Sequence, residues 1–240
     1  MNGSTRICAG VLAAVLGALA ACRSATLAAA GSGPEPGVHE LTLRDAREGV
    51  LHYTLLVPDG YRKDRPAPLV LALHYAGDVT PFYGRNVLEL LVAPALAELH
   101  AIIVAPDALD GSWDNPRSER ATLAILDEVG RVLSVDRRRT LVVGYSLGGR
   151  GAWFFADRHP ERFRAAIPIS GRPTGAPTIP LLAFHSRADR VIAYQPTADR
   201  VAQLKNARLV SLDDVGHFQV GAFVEPLRLA VPWIREVWDH

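Results

Sequence analysis

The sequence predicts an α/β protein: a three-layer α/β/α sandwich on a mostly parallel sheet, with no sizeable cap domain. Two patterns and one junction predict it. Short apolar runs at 67–75, 101–105, 140–145, 165–170 and 180–185 are too brief for typical helices and read as strands buried on both faces. Longer segments with near-helical apolar spacing alternate with them, and that alternation builds parallel βαβ units. The junction is "LVVGYSLGGRGAW" at 141–153, where a strand meets a serine ringed by glycines and continues as an amphipathic helix.

The elements follow in order. "HELTLR" and "LHYTLLV" flank the charged turn "DAREG" and read as a hairpin. The buried run 67–75 comes next, then a helix over 86–99 that Pro94 kinks. "AIIVA" at 101–105 is a strand. Residues 118–134 are helical, with Leu123, Ile125, Leu126, Val129 and Val132 near one face. The strand 140–145 leads into a helix over 147–157. "AAIPIS" and "PLLAFH" are strands, a helix spans 194–205, and "ARLVSL" at 207–212 is the last strand. A final helix covers 219–238, bent at Pro226 or Pro232. No internal repeat is present.

Composition narrows the function. The chain has 240 residues, 49% hydrophobic and 21% charged, which suffices for one well-buried core and not for a second full domain. A net charge of +1, with no basic block, argues against a nucleic-acid partner. Residues 1–22 read as a signal peptide: Arg6, then an apolar run from Ile7 to Ala21 that is too short to span a bilayer. The ending Leu19-Ala20-Ala21-Cys22 resembles the lipobox of bacterial lipoproteins, which implies lipidation of Cys22. The alternative is cleavage at a small-residue site such as Ala28-Ala29-Ala30; either way the protein is exported. Residues 23–37 form a flexible tether, and the domain occupies 38–240. Contact with a membrane is then expected only through the lipid.

Gly144-Tyr145-Ser146-Leu147-Gly148 is a G-x-S-x-G pattern at a strand-to-helix turn, the setting that gives the pattern its meaning. The turn strains Ser146 and lifts its hydroxyl above the sheet. Gly144 and Gly148 remove side chains where strand and helix approach closely. Leu147, opening the helix, presents a free backbone N–H to developing negative charge.

A serine hydroxyl needs a general base. His185 and His217 follow it at strand ends, and His217 stands in the loop after the last strand, beside Gly216. Asp189 is the candidate acid, four residues past its strand. Asp213 and Asp214 compete, but they lie so near His217 that they shape its loop instead. His185 braces the Asp189 loop. The second backbone donor to an oxyanion comes from "LHYAGD", at Tyr75 or Ala76. Trp113, in "DALDGSWDN" beyond another strand end, is a candidate pocket wall alongside Tyr75 and Tyr145, or else packs on its own neighbours.

Together "LHYAGD", "GYSLGG", "FHSRADRVI" and "GHF" make the chain resemble the α/β-hydrolases, and within them the small phospholipase/carboxylesterase and dienelactone-hydrolase-like serine esterases. The resemblance implies a Ser146–His217–Asp189 triad and an oxyanion hole from the N–H groups of Leu147 and Ala76. Three features depart from the family pattern: Ser186 replaces the glycine of His-Gly-x-x-Asp-x-x-Val, the valine of that pattern is out of register at Val191, and Tyr75 replaces the first glycine of His-Gly-x-Gly.

The expected function is hydrolysis of small or polymeric carboxylic esters through an acyl-enzyme, with no metal or organic cofactor. Only "GRPTGAPT" separates Ser170 from the next strand, which leaves no room for a lid. Two alternatives stay open. One is a peptidase, or a depolymerase of polyesters or feruloylated polysaccharides, with the same triad. The other is a non-catalytic surface binding protein on the same fold.

Overall fold

A computed structural model describes residues 34–240. Cys22, the signal segment 1–22 and the tether up to residue 33 lie outside the described residues. Strands β1 (Gly37–Asp45) and β2 (Gly49–Val57) form the expected antiparallel hairpin. They are followed by β3 (Ala67–Leu73), β4 (Ile102–Pro106), β5 (Val135–Tyr145), β6 (Ala165–Ile169), β7 (Leu181–Ser186) and β8 (Ala207–Leu212). All eight join one sheet in the order β1-β2-β4-β3-β5-β6-β7-β8. Only β2 runs against the rest.

Every residue of β3, β4, β6 and β7 is buried, because helices cover both faces of the sheet. Side chains alternate along a strand, so β3 sends Leu69, Leu71 and Leu73 to one core and Val70 and Ala72 to the other. Helices α3 (Pro116–Val132), α4 (Leu147–Arg158) and α5 (Tyr194–Ala202) cover the first face. Asn115 caps α3, its side chain accepting from the N–H groups of Arg117 and Ser118, and Pro116 takes the first helical position.

The opposite face is covered by the segment 85–99, α6 (Val224–Arg228) and α7 (Val231–Asp239). The single kinked helix expected over 86–99 is four pieces. α1 (Arg85–Val87) passes into a π turn (Leu88–Val92), α2 (Ala93–Leu96) and a 3₁₀ turn (Ala97–Leu99). Pro94 lacks an N–H and crowds the carbonyl four residues back, and the π turn lies where that carbonyl must move. The last helix is likewise broken: Pro232 stands in the first turn of α7, after a break at Leu229 and Ala230.

One difference from the sequence reading concerns β5, which begins at Val135 rather than 140. The charged stretch "DRRR" hides its start. Arg139 is held there by Asp136 at 2.7 Å and by the Pro66 carbonyl at 3.0 Å. Ala67 pairs with Val135, then the register shifts before Leu69.

Candidate active site

The chain passes from β3 to its neighbour β4, then reverses to add β5, β6, β7 and β8 on the other side. Strand order therefore switches between β3 and β5, and in an open α/β sheet the crevice beyond the carboxyl ends of such strands is where ligands bind. Tyr75 and Ala76 follow β3, and Ser146 follows β5. Asp189 and His217 follow β7 and β8.

Ser146 sits between β5 and α4 at φ 57°, ψ −112°, a conformation that costs a non-glycine residue about 1–3 kcal/mol. Its neighbours over-determine it. Its N–H donates to the Ile169 carbonyl at 2.9 Å, and its carbonyl accepts from Arg150 N–H at 3.0 Å. The glycines make the turn possible. A Cβ on Gly144 would overlap the Gly148 carbonyl, and one on Gly148 would overlap the Leu73 carbonyl. Helix α4 thus rests directly on the backbone of β3.

Ser146 Oγ lies 2.8 Å from His217 Nε2. His217 Nδ1 lies 2.7 Å from Asp189 Oδ2. A carboxylate only accepts, so Nδ1 carries the proton and Nε2 is free to accept from the serine. Asp189 Oδ1 accepts from the N–H groups of Val191 at 2.9 Å and Ile192 at 2.8 Å. Burial by itself would push this carboxyl up. The bonds from His217, Ile192 and Val191 outweigh it, and the net direction is down, so Asp189 stays ionised. Ser146 is half-buried and the other two are almost fully enclosed, so the imidazole is oriented in a dry setting while the hydroxyl is reachable.

His185 is fully buried. Its Nε2–H donates to the Ile192 carbonyl at 2.9 Å and lies 3.5 Å from Asp189 Oδ2, while Nδ1 accepts from Thr197 at 2.8 Å. It braces the Asp189 loop. Asp213 is turned out to Arg187 at 3.1 Å, away from His217. Ser186, the departure from the family pattern, is also buried. Its hydroxyl accepts from Ala188 N–H at 3.1 Å and Val215 N–H at 3.2 Å, tying the acid loop to the histidine loop.

Two candidates for the pocket wall are corrected. Trp113 is 1% exposed and Tyr145 2% exposed, so neither offers surface to a substrate. Tyr145 donates its hydroxyl to the His217 carbonyl and anchors the histidine loop instead. Trp113 packs beneath the Tyr75 loop, edge-on to His74 with ring centroids 4.9 Å apart. Tyr75 is half-buried and Ala76 and Leu147 reach the surface of the crevice, so these three remain as sequence reading left them. Sequence reasoning missed Phe218, 85% exposed and edge-on to the His217 imidazole at 5.5 Å; its place directly after His217 was the available signal.

His74 was also missed. It is fully buried, and burial pushes its imidazole down from an ordinary 6.5 to about 4. The unfolded chain takes up this proton first as pH falls, so the stabilisation is complete above 6.5 and is lost as pH falls toward 4. The full loss is about 3 kcal/mol. Urea unfolding of wild type and His74→Asn should show their stability gap narrowing between neutral pH and about pH 4.5. A constant gap contradicts this.

The sheet order, the elbow and the bonded Ser–His–Asp array define the class: the chain has the α/β-hydrolase fold, and it is similar to esterases. No protein-family model matches it. It is 30% identical over 185 residues to a probable feruloyl esterase C of Aspergillus niger, covering 68% of this chain and 63% of the relative. With feruloyl esterase C of Emericella nidulans it shares 31% over 157 residues, covering 59% and 53%. A thermostable esterase of solved structure superposes with a TM-score of 0.70 at 24% identity, covering 83% of this chain and 62% of that one, which speaks for the fold alone. The chain thus spans less than two thirds of the length of these proteins.

Proposed function

We propose that the protein is a serine hydrolase of carboxylic esters. The observation that carries this is the Ser146–His217–Asp189 array, bonded at 2.8 and 2.7 Å at the switch point of the sheet. In this reading Ser146 Oγ attacks the ester carbonyl while His217 Nε2 takes its proton. The N–H groups of Leu147 and Ala76 receive the oxyanion. The imidazolium, supported by Asp189, protonates the leaving alcohol, and water then releases the acyl group by the same route. A serine whose base is already within hydrogen-bond reach also argues for catalysis over mere binding. The test is hydrolysis of p-nitrophenyl acetate and methyl ferulate by the purified chain. Turnover of either supports the reading, and turnover of neither by folded protein refutes it.

Within that reading, esters of aromatic acids are the proposed substrate class. Phe218 stands almost bare beside His217, and Val191, two residues past Asp189, is 52% exposed. Apolar side chains left open at the rim of a reactive centre suit an apolar substrate group. The feruloyl esterases among the relatives act, by their names, on such esters. Phe218→Ala should raise KM for methyl ferulate about three- to tenfold, the worth of one aromatic contact. Its kcat and melting temperature should match wild type, and an unchanged KM would remove Phe218 from the subsite.

Export and lipidation of Cys22 complete the proposal, on the pattern of residues 1–22. Among the described residues no helix is long and apolar enough to cross a membrane. Incorporation of labelled palmitate that disappears in Cys22→Ser would support the anchor; label retained by Cys22→Ser would refute it.

A further inference from the structure

The loop after β3 has to hold a backbone N–H toward the oxyanion although Tyr75 stands where the resembled His-Gly-x-Gly pattern has its first glycine. What fixes it comes from outside the loop. β3 ends at Leu73, so the next two peptides have no partner in the sheet. The His74 carbonyl accepts from the indole N–H of Trp113 at 2.9 Å. The Tyr75 carbonyl accepts from His74 Nδ1 at 2.7 Å. A trans peptide is planar, with C=O and N–H pointing in opposite directions. Pinning the His74 carbonyl therefore sets the Tyr75 N–H, and pinning the Tyr75 carbonyl sets the Ala76 N–H.

The tautomer is forced. Ala108 N–H donates to His74 Nε2 at 3.0 Å, which leaves the ring proton on Nδ1, facing the Tyr75 carbonyl. Trp113 also touches the nucleophile helix: a Cβ on Gly151 would lie 2.7 Å from Trp113 Cβ and 2.8 Å from its Cγ. One buried side chain thus abuts both the helix that presents Leu147 N–H and the loop that presents Ala76 N–H.

We propose that Trp113 and His74 are positioning residues for ester hydrolysis: their two successive hydrogen bonds preset the Tyr75–Ala76 backbone so that the Ala76 N–H meets the oxyanion. The inference rests on the serine-hydrolase reading above. Neither residue touches substrate; both act through the peptide plane. A donor misplaced by about an ångström is felt mainly in the transition state and costs about 10²-fold.

The test compares wild type, Trp113→Phe, His74→Asn and His74→Gln in the full chain, with methyl ferulate and a phenylboronic acid that forms a tetrahedral anion on the serine. Trp113→Phe keeps an aromatic ring, smaller than the indole, and removes the N–H that holds the His74 carbonyl; its melting temperature reports the lost packing separately. It should lower kcat and boronate affinity about 10²-fold while KM stays within about twofold, the signature of an interaction made in the transition state. His74→Asn keeps a donor near the place of Nδ1 and should rescue kcat to within about tenfold of wild type; His74→Gln reaches the place of Nε2 instead and should fall with Trp113→Phe. A purely structural role would lower the melting temperature of both His74 variants without separating their kcat. Folded Trp113→Phe with wild-type kcat and boronate affinity overturns the proposal, and so do equal losses in the Asn and Gln variants. A wild-type protein that neither hydrolyses the ester nor binds the boronate overturns the serine-hydrolase reading itself, a different result from an active wild type indifferent to Trp113.

Discussion

Ser146→Ala and His217→Ala are each expected to lower kcat for ester hydrolysis about 10⁶-fold, and the double variant is expected to be no worse than either. The geometry gives the reason. Ser146 Oγ has one base in reach, at 2.8 Å, and that base has one task. Removing either group removes the same proton transfer, so their losses do not add. Both substitutions should leave the fold intact. Ser146 is held by backbone bonds to Ile169 and Arg150 that alanine keeps, and alanine at φ 57° is strained no more than serine. Single-turnover assays with matched circular dichroism check this. Additive losses in the double variant would mean that the two residues act in separate steps.

Gly148→Ala carries the largest expected effect on folding. The added methyl would overlap the Leu73 carbonyl and lie 2.8 Å from the His74 carbonyl, both backbone atoms, with nothing flexible to swing aside. Overpacking of this kind costs about 3 kcal/mol or more. Any relief must push α4 away from β3 and so part Leu147 from Ala76; activity should fall even in the fraction that folds. Gly130 is the control. It lies inside α3 with open space around its Cβ position, and Gly130→Ala should stabilise by about 0.5–1 kcal/mol. Urea midpoints of the two variants should move in opposite directions, and a shift in the same direction would contradict the close approach of helix and strand.

The strand pattern was legible because buried parallel strands are written as apolar runs, as in β3, β4, β6 and β7, and the edge strand β8 keeps the bounds expected of it although no residue of it is fully buried. Where chemistry and periodicity part, the sequence misleads. The start of β5 is arginine-rich because it lies at the sheet end away from the crevice, and the segment 85–99 keeps helical spacing while Pro94 breaks its hydrogen bonds. Ser146, Asp189 and His217, which the structure brings within hydrogen-bond distance, were picked out by motif and strand position. The neighbouring aromatics were not. Trp113, Tyr145 and Phe218 each lie within a residue or a loop of the site, and nothing in the sequence says that the first two face inward and the third outward. Ser186 is similar: a departure from the pattern whose purpose, bonds to Ala188 and Val215, appears only when two distant loops meet.

In the proposed reading Ser146 is an activated nucleophile whose base is His217. Fluorophosphonate labelling of the purified chain, with the modified peptide located by mass spectrometry, tests it most directly. One adduct is expected, on Ser146, and it should vanish in His217→Ala. No adduct on folded protein, or labelling of Ser146 that persists unchanged without His217, would contradict it.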